Sequence, residues 1–259
     1  MEAIEKTTRR NPAALLPTGT TPATRGLEKQ QQALGWLLRW HFSTNAIVCE
    51  MLGIRDSGYL AKLAKRGLVE KVFTPTLATG AIYVLTESGL WDALADLEDL
   101  IPYPHDALRL NHKLLRHSLC VQRTVVRLQG LQEAIPERLL ITHGKAGEKM
   151  PDALILTDKT TPHWAALEIE LTPKYERELD QTMLAHVLAM ERGDYAFVIY
   201  MSQSEALLNR YKRHLEKPIQ CWVKDAAAQK WKTSKMFSVP SELLPRFVVL
   251  PDAEIFKGL

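Results

Sequence analysis

Apolar positions along the chain change period several times, and the changes divide it into elements. Leu27, Leu34, Leu37, Leu38 and Trp40 recur near helical spacing and predict a first helix that Phe42 and Ser43 close. Ser43 or Thr44 can cap a second helix carrying Ile47, Val48, Met51 and Leu52, and Gly53 suits its left-handed end. Arg55 follows in the turn, and Ser57 can cap a third helix over 58–66 that ends at Gly67. Leu60 and Leu63 face inward on that helix, leaving Tyr59, Lys62, Lys65 and Arg66 outside. Two strands are expected at 68–73 and 81–85, around a turn with Pro75 and Gly80, and then a helix at 90–97. Past the proline-bearing stretch DLIPYPHDA (99–107), the spacing predicts a long helix over 108–128, whose polar side carries Arg109, Lys113, Arg116, Arg123 and Arg127. A strand at 138–142, a hairpin over 151–172, a helix over 174–191 and a strand at 196–201 follow. A helix over 205–215 and a strand at 219–223 come next, and the remainder, with Trp231, Phe237 and the run 247–250, edges or covers the sheet.

The hairpin KMPDALILTDKTTPHWAALEIELTPKY is the chemically suggestive stretch. Period-2 alternation places Ala166, Glu168 and Glu170 on one face and Leu167, Ile169 and Leu171 on the other. Side chains two apart on a strand lie roughly 6.5–7 Å from one another along it. Asp152 opens the neighbouring strand and can lie across from the two glutamates. Three converging carboxylates make a hard oxygen site suited to Mg²⁺ or Mn²⁺. The plainer alternative is that they are ordinary acids on the solvent face of a half-buried hairpin. Clustered carboxylates repel one another unless a cation or a proton joins them, which favours a site.

Composition adds boundaries. At 259 residues the chain can hold two compact domains or one large one. A formal net charge of +3 permits a nucleic-acid partner without demanding one. Cys49, Cys120 and Cys221 are scattered, without CxxC spacing, which suits a reducing cytoplasm. No run approaches the ~18–20 apolar residues of a membrane span, so no membrane insertion is expected. Residues 1–26, rich in Thr, Pro, Ala and Arg, read as a flexible leader. His105, His112 and His117 lack the i, i+4 spacing of an HExxH site, and the glycines of 143–147 lack Walker-A spacing.

The run FSTNAIVCEMLGIRDSGYLAKLAKRGLVEKV resembles a winged helix-turn-helix, which implies a DNA-binding unit over 27–98. Arg55, Ser57, Tyr59, Lys62, Lys65 and Arg66 would then face the major groove. The order helix, three strands, helix, strand resembles the restriction-endonuclease-like αβββαβ core over 108–259, joined by the linker 99–107. Pro151-Asp152 and Glu168-Ile169-Glu170 stand where that fold has Pro-Asp and Glu-x-Lys. Together with RHSLCVQRTV, MPDALIL and ALEIELTPK, the α/β (α+β) chain is similar to the replication-relaxation family, in particular to MOB-C class plasmid mobilisation relaxases.

That resemblance implies a cytoplasmic endonuclease that nicks one strand of plasmid DNA at the transfer origin, with relaxosome accessory and coupling proteins as partners. It places Asp152, Glu168 and Glu170 in the acidic, metal-holding site, Glu170 standing where lysine is usual. Lys174 is the candidate substitute for that lysine. A tyrosine nucleophile is also compatible with the family, with Tyr59, Tyr175 and Tyr211 in polar surroundings and none selected. Two other functions stay open: a non-enzymatic DNA-binding replication, relaxosome or transcription factor with a degenerate nuclease fold, and a restriction or defence nuclease.

Overall fold

A computed structural model describes residues 21–55, 58–78, 80–95, 97, 100–104, 110–128, 133–141, 149–157, 161–225 and 230–252. The architecture is mixed α/β, with helices packed on several sheets.

Helix α1 runs Pro22–Trp40 and starts earlier than the apolar spacing predicts. The Thr21 side chain accepts the Thr24 N–H and Pro22 presets the first turn, so residues 22–26 are helical rather than leader. The rest of the expected leader, 1–20, lies outside the described residues. His41 then takes φ 73° and reverses the chain into β1 (Phe42–Ser43), a strand where only a helix end was expected. Thr44 caps α2 (Asn45–Met51), as its spacing predicts. Helix α3 (Tyr59–Lys65) starts from Gly58 in the left-handed region, and the Asn45 side chain accepts the Leu60 N–H. The expected cap, Ser57, lies outside the described residues. Strands β2 (Val69–Phe73) and β3 (Ala81–Leu85) follow, then α4 (Glu87–Leu94), capped by Thr86 and begun three residues before the predicted start. The three strands form one antiparallel sheet in the order β1-β3-β2.

The second half starts with α5 (His112–Arg127), then β4 (Glu133–Pro136) and the short α6 (Glu137–Leu140). The strand expected at 138–142 is therefore displaced. Pro136 ends the ladder, and Glu-Arg-Leu-Leu, all good helix formers, turn into a helix whose Glu137 N–H donates to the Asp152 carbonyl at 3.0 Å. A short apolar run does not declare its period. Next come β5 (Ala153–Thr157), β6 (His163–Ile169), α7 (Glu176–Arg192), β7 (Phe197–Ser202) and α8 (Glu205–Leu215). The ribbon β8 (Ile219–Lys224) and β9 (Trp231–Phe237) packs against α7, and β10 (Phe247–Pro251) closes the main sheet. That sheet has the order β10-β7-β6-β5-β4, antiparallel from β4 to β6 and parallel from β6 through β7 to β10.

Both faces of this sheet are covered, so its central strands are apolar on both sides. Ala166, Val198 and Tyr200 meet Leu179, Met183, Leu208 and Tyr211 of α7 and α8. Ala153, Ile155, Ala165, Leu167 and Ile169 meet Cys120, Val121 and Val125 of α5, together with Trp40 from the first half. Helix α5 also packs the other way: Leu115 and Leu119 lie against Phe42, Ile47, Ile82 and Val84. Buried Gln122 ties the halves, its amide donating to the Phe42 carbonyl at 2.9 Å and accepting from Trp36 Nε1 at 3.2 Å. Among the described residues no helix is long and apolar enough to cross a membrane.

Candidate active site

The antiparallel register of β5 and β6 pairs Ala153 with Leu167, and one further step sets Asp152 opposite Glu168 at the same strand end. Alternation turns Leu167 toward α5 and Glu168 toward α7. Glu168 is 1% exposed, far from the solvent-face position that a half-buried hairpin would give it. Lys149 Nζ donates to both of its carboxylate oxygens, at 3.0 and 3.1 Å. His186 of α7 places Nε2 3.2 Å from Oε1. Burial pushes the Glu168 carboxyl upward, but the His186 hydrogen bond and the charges of His186, Lys149 and Lys174 outweigh it and hold it down at about 2.

Behind His186 stands Tyr195, its Oη 2.6 Å from Nδ1. Burial holds the Tyr195 phenol above its ordinary value, so it stays protonated beside the imidazole.

Asp152 is held by its own strand neighbour, Oδ2 accepting the Ile169 N–H at 2.7 Å. His117 Nε2 lies 3.3 Å from the same oxygen and 2.9 Å from the Ile169 carbonyl, which can only accept, so Nε2 carries a proton. Burial lowers His117, yet the bonds and charge of Asp152 with the Ile169 carbonyl raise it above the ordinary histidine value.

Glu170 lies just past β6, its N–H donating to Met201 and its carbonyl accepting from Ser202 Oγ at 2.7 Å. Lys174 pairs with its carboxylate four residues on, and burial still leaves that carboxyl above the usual range. The structure thus sets Asp152 and Glu168 at one strand end but on different partners, Asp152 with His117 of α5 and Glu168 with Lys149 and His186 of α7, and gives Glu170 and Lys174 to each other. Lys149 is the lysine on Glu168, which the sequence reading did not assign. Glu137 joins the same neighbourhood; burial first, then Asp152 and Glu168, push its carboxyl up. Lys149 had a legible signal, standing three residues before Asp152 in the hairpin sequence. His117 and His186 had none, since their partners lie far along the chain.

A cleft of 160 Å³ opens beside Asp152, between Trp40, His41 and Phe42 of the first half and His117, Glu137 and Arg138 of the second. Among the described residues no group of three or more His, Cys, Asp or Glu side chains is arranged to hold a metal ion. Asp152 and Glu168 nevertheless offer the hard oxygen donors that Mg²⁺ or Mn²⁺ prefers. The fully buried Tyr200, across from Glu168 in register, has a hydroxyl without a hydrogen-bond partner, an unfilled bond beside the acids. Both Glu168 oxygens are taken by Lys149, so a divalent ion would have to displace that ammonium.

The expected nucleic-acid face is split. Arg55, Lys62, Lys65 and Arg66 are exposed, the last three along α3 and its end. Tyr59, expected outside, packs half-buried against the first core because its ring is mostly apolar surface. Of the nucleophile candidates, Tyr175 is 84% exposed at the start of α7 and Tyr211 is buried. Compared with protein-family models, curated proteins and solved structures, the chain has no match.

Proposed function

We propose that this chain is a DNA-binding endonuclease of the plasmid mobilisation relaxase kind, which nicks one strand at a transfer origin. The observation that carries the reading is Asp152 opposite Glu168 at the end of β5 and β6, beside an open cleft. Two orders support it. The run α5, β4, α6, β5, β6, α7, β7 resembles the order of the restriction-endonuclease-like core with α6 added after its first strand, Asp152 standing before its second strand and Glu168 on its third. The run α1, β1, α2, α3, β2, β3 with sheet order β1-β3-β2 resembles a winged helix-turn-helix, whose third helix would carry Lys62, Lys65 and Arg66 into the major groove.

In this reading Asp152 and Glu168 hold Mg²⁺ or Mn²⁺, which polarises the scissile phosphate when bound. Lys149, placed on Glu168, does what the Glu-x-Lys lysine does elsewhere: it supplies a cation beside the phosphate and orients the attacking oxygen. Lys174 neutralises Glu170 instead. His186 and Tyr195 fix the Glu168 carboxylate from behind. The exposed lysines of α3 contact phosphates, so binding weakens with salt. Partners are plasmid DNA and the relaxosome and coupling proteins that such a nick requires.

One observation favours a second reading, a non-enzymatic DNA-binding factor on a nuclease-like scaffold. Each candidate carboxylate is already matched by a protein cation or imidazole: Asp152 by His117, Glu168 by Lys149 and His186, Glu170 by Lys174. A plasmid assay separates the two. Supercoiled DNA carrying the transfer origin is incubated with wild type, Asp152→Ala, Glu168→Gln and Lys149→Met, with Mn²⁺ or EDTA. Origin-dependent open circles, lost in all three variants and in EDTA, support the relaxase. Tight origin binding without cutting under any metal leaves the DNA-binding factor.

A further inference from the structure

The ribbon β8–β9 stands outside the five-stranded sheet, its two strands paired with each other. A two-stranded ribbon is marginal in water unless something holds it. Here Ile219 and Phe237 enter the core shared with α7 and α8. Trp222 Nε1 donates to the buried Asp180 carboxylate of α7 at 2.7 Å, and that carboxylate also meets His214 of α8 at 2.6 Å. The Arg177 guanidinium lies 4.9 Å from the centre of the Trp231 ring. At the register shift after Cys221, the Ser234 hydroxyl donates to the Cys221 carbonyl at 3.1 Å. The ribbon is a fixed platform.

What the platform presents is positive charge. Every residue of β9 from Trp231 to Met236 is exposed, as are Val223, Lys224 and Lys230. Lys224, Lys230, Lys232 and Lys235 stand against one acid, Asp225, an excess equal to the formal +3 of all 259 residues. Among the described residues Lys232 alone of the four has an ion-pair partner, Asp225 at 3.1 Å. Residues 219–237 hold no arginine and no asparagine. Lysine is a compact point charge that suits a phosphate, whereas arginine and the amides read base edges with paired bonds.

Two other uses of such lysines are weighed against this one. Lysines guard open strand edges against other chains, a duty that asks only for charge. An anionic membrane attracts lysine and tryptophan together, but seats them through a continuous apolar face. On β9, Lys232 and Lys235 stand between Trp231 and Met236, and Arg177 already lies over the Trp231 ring. The apolar face is broken, and the charge is left to a polyanion.

We propose that the β8–β9 ribbon is a second DNA-contacting surface, which grips the phosphate backbone of duplex DNA through Lys224, Lys230 and Lys235 without reading its sequence. This role rests on the reading that DNA is the partner, and it divides the contacts. Helix α3 selects the site, while the ribbon holds the nuclease-like half on the duplex whatever its sequence.

The test is fluorescence anisotropy of the full chain on a labelled random-sequence duplex, titrated with NaCl. Lys224→Gln, Lys230→Gln and Lys235→Gln together are expected to weaken binding by about tenfold or more. They lower the salt slope by about 2.7, at about 0.9 per phosphate contact. The corresponding triple change to arginine keeps both affinity and slope. Should the glutamine triple fail to fold, Lys235→Gln alone decides, with a slope lower by about 0.9. Unchanged affinity and slope overturn the ribbon as a DNA surface even where origin plasmid is nicked, and leave an edge guard. A loss seen only on phosphatidylserine vesicles, with duplex binding intact, overturns it in favour of a membrane surface. No duplex binding by the folded wild type overturns it together with the relaxase. Ribbon-dependent binding by a chain that neither prefers the origin nor nicks plasmid keeps the ribbon and removes the relaxase.

Discussion

Glu168 is a buried carboxylate that stays ionised because its charge is answered from two directions, by Lys149 from the loop before β5 and by His186 from α7. Its folded value of about 2 lies below the ordinary 4.5, so protons prefer the unfolded chain. The stabilisation is whole above about pH 4.5 and is lost as pH falls toward 2. A shift of this size corresponds to stability on the order of 3 kcal/mol. Urea unfolding between pH 5 and 2.5 is therefore expected to show a loss that Glu168→Gln flattens. Lys149→Met leaves the buried charge half-answered. It is expected to cost about 2 kcal/mol at pH 7 and to move the acid limb to higher pH, since Glu168 rises when a cation is removed. The carboxylates were legible in the sequence because period-2 alternation fixes faces. Their partners were not. Lys149 looks like any turn lysine until β5 and β6 pair, and the imidazoles of His117 and His186 reach the acids only through helix packing.

At the scale of elements, caps carried more information than apolar runs. Thr44 and Ser204 mark helix starts at the residues the spacing selects, and Gly53, Gly67 and Gly193 take left-handed φ at helix ends. The runs misled where period and composition disagreed, as at 138–142, where helix formers follow a proline that ends β4. A two-residue strand such as β1 has no period at all; it exists because β3 offers a partner. Helix α4 shows a constraint no pattern reveals. Its start is tied to the end of α3 by Thr86, whose hydroxyl donates to the Gly67 carbonyl at 2.6 Å and accepts the Gly89 N–H. Gly89 sits so close to the chain that a Cβ would stand 1.8 Å from the Leu68 carbonyl oxygen. Backbone cannot yield as a side-chain tip does, so Gly89→Ala is expected to destabilise by about 3 kcal/mol, the upper end of overpacking costs. A thermal melt against Gly35→Ala, whose Cβ meets nothing within 4 Å, supplies the control.

For the molecule as a whole, helix α5 belongs to two cores at once. One side covers the five-stranded sheet through Cys120, Val121 and Val125, and another receives Phe42, Ile47 and Val84 through Leu115 and Leu119. Stripping away either half would uncover a contiguous apolar face, which a stable unit does not tolerate. The joint is specified as well as greasy, because Gln122 is fully buried and answers both the Phe42 carbonyl and the Trp36 indole. Rim pairs between Arg127 and Glu50 and between Arg39 and Glu133 are exposed and contribute little. Calorimetry of the full chain is therefore expected to give one cooperative transition, with calorimetric and van't Hoff enthalpies equal. Gln122→Leu keeps the volume but takes the Gln122 donor from the Phe42 carbonyl and leaves Trp36 Nε1 only Ser43 Oγ, at 3.3 Å; an unfilled buried group costs about 1–3 kcal/mol. The substitution is expected to lower that single transition by several degrees. Were the halves joined only by a linker, Gln122→Leu would split the melt into two transitions or leave one half unmoved.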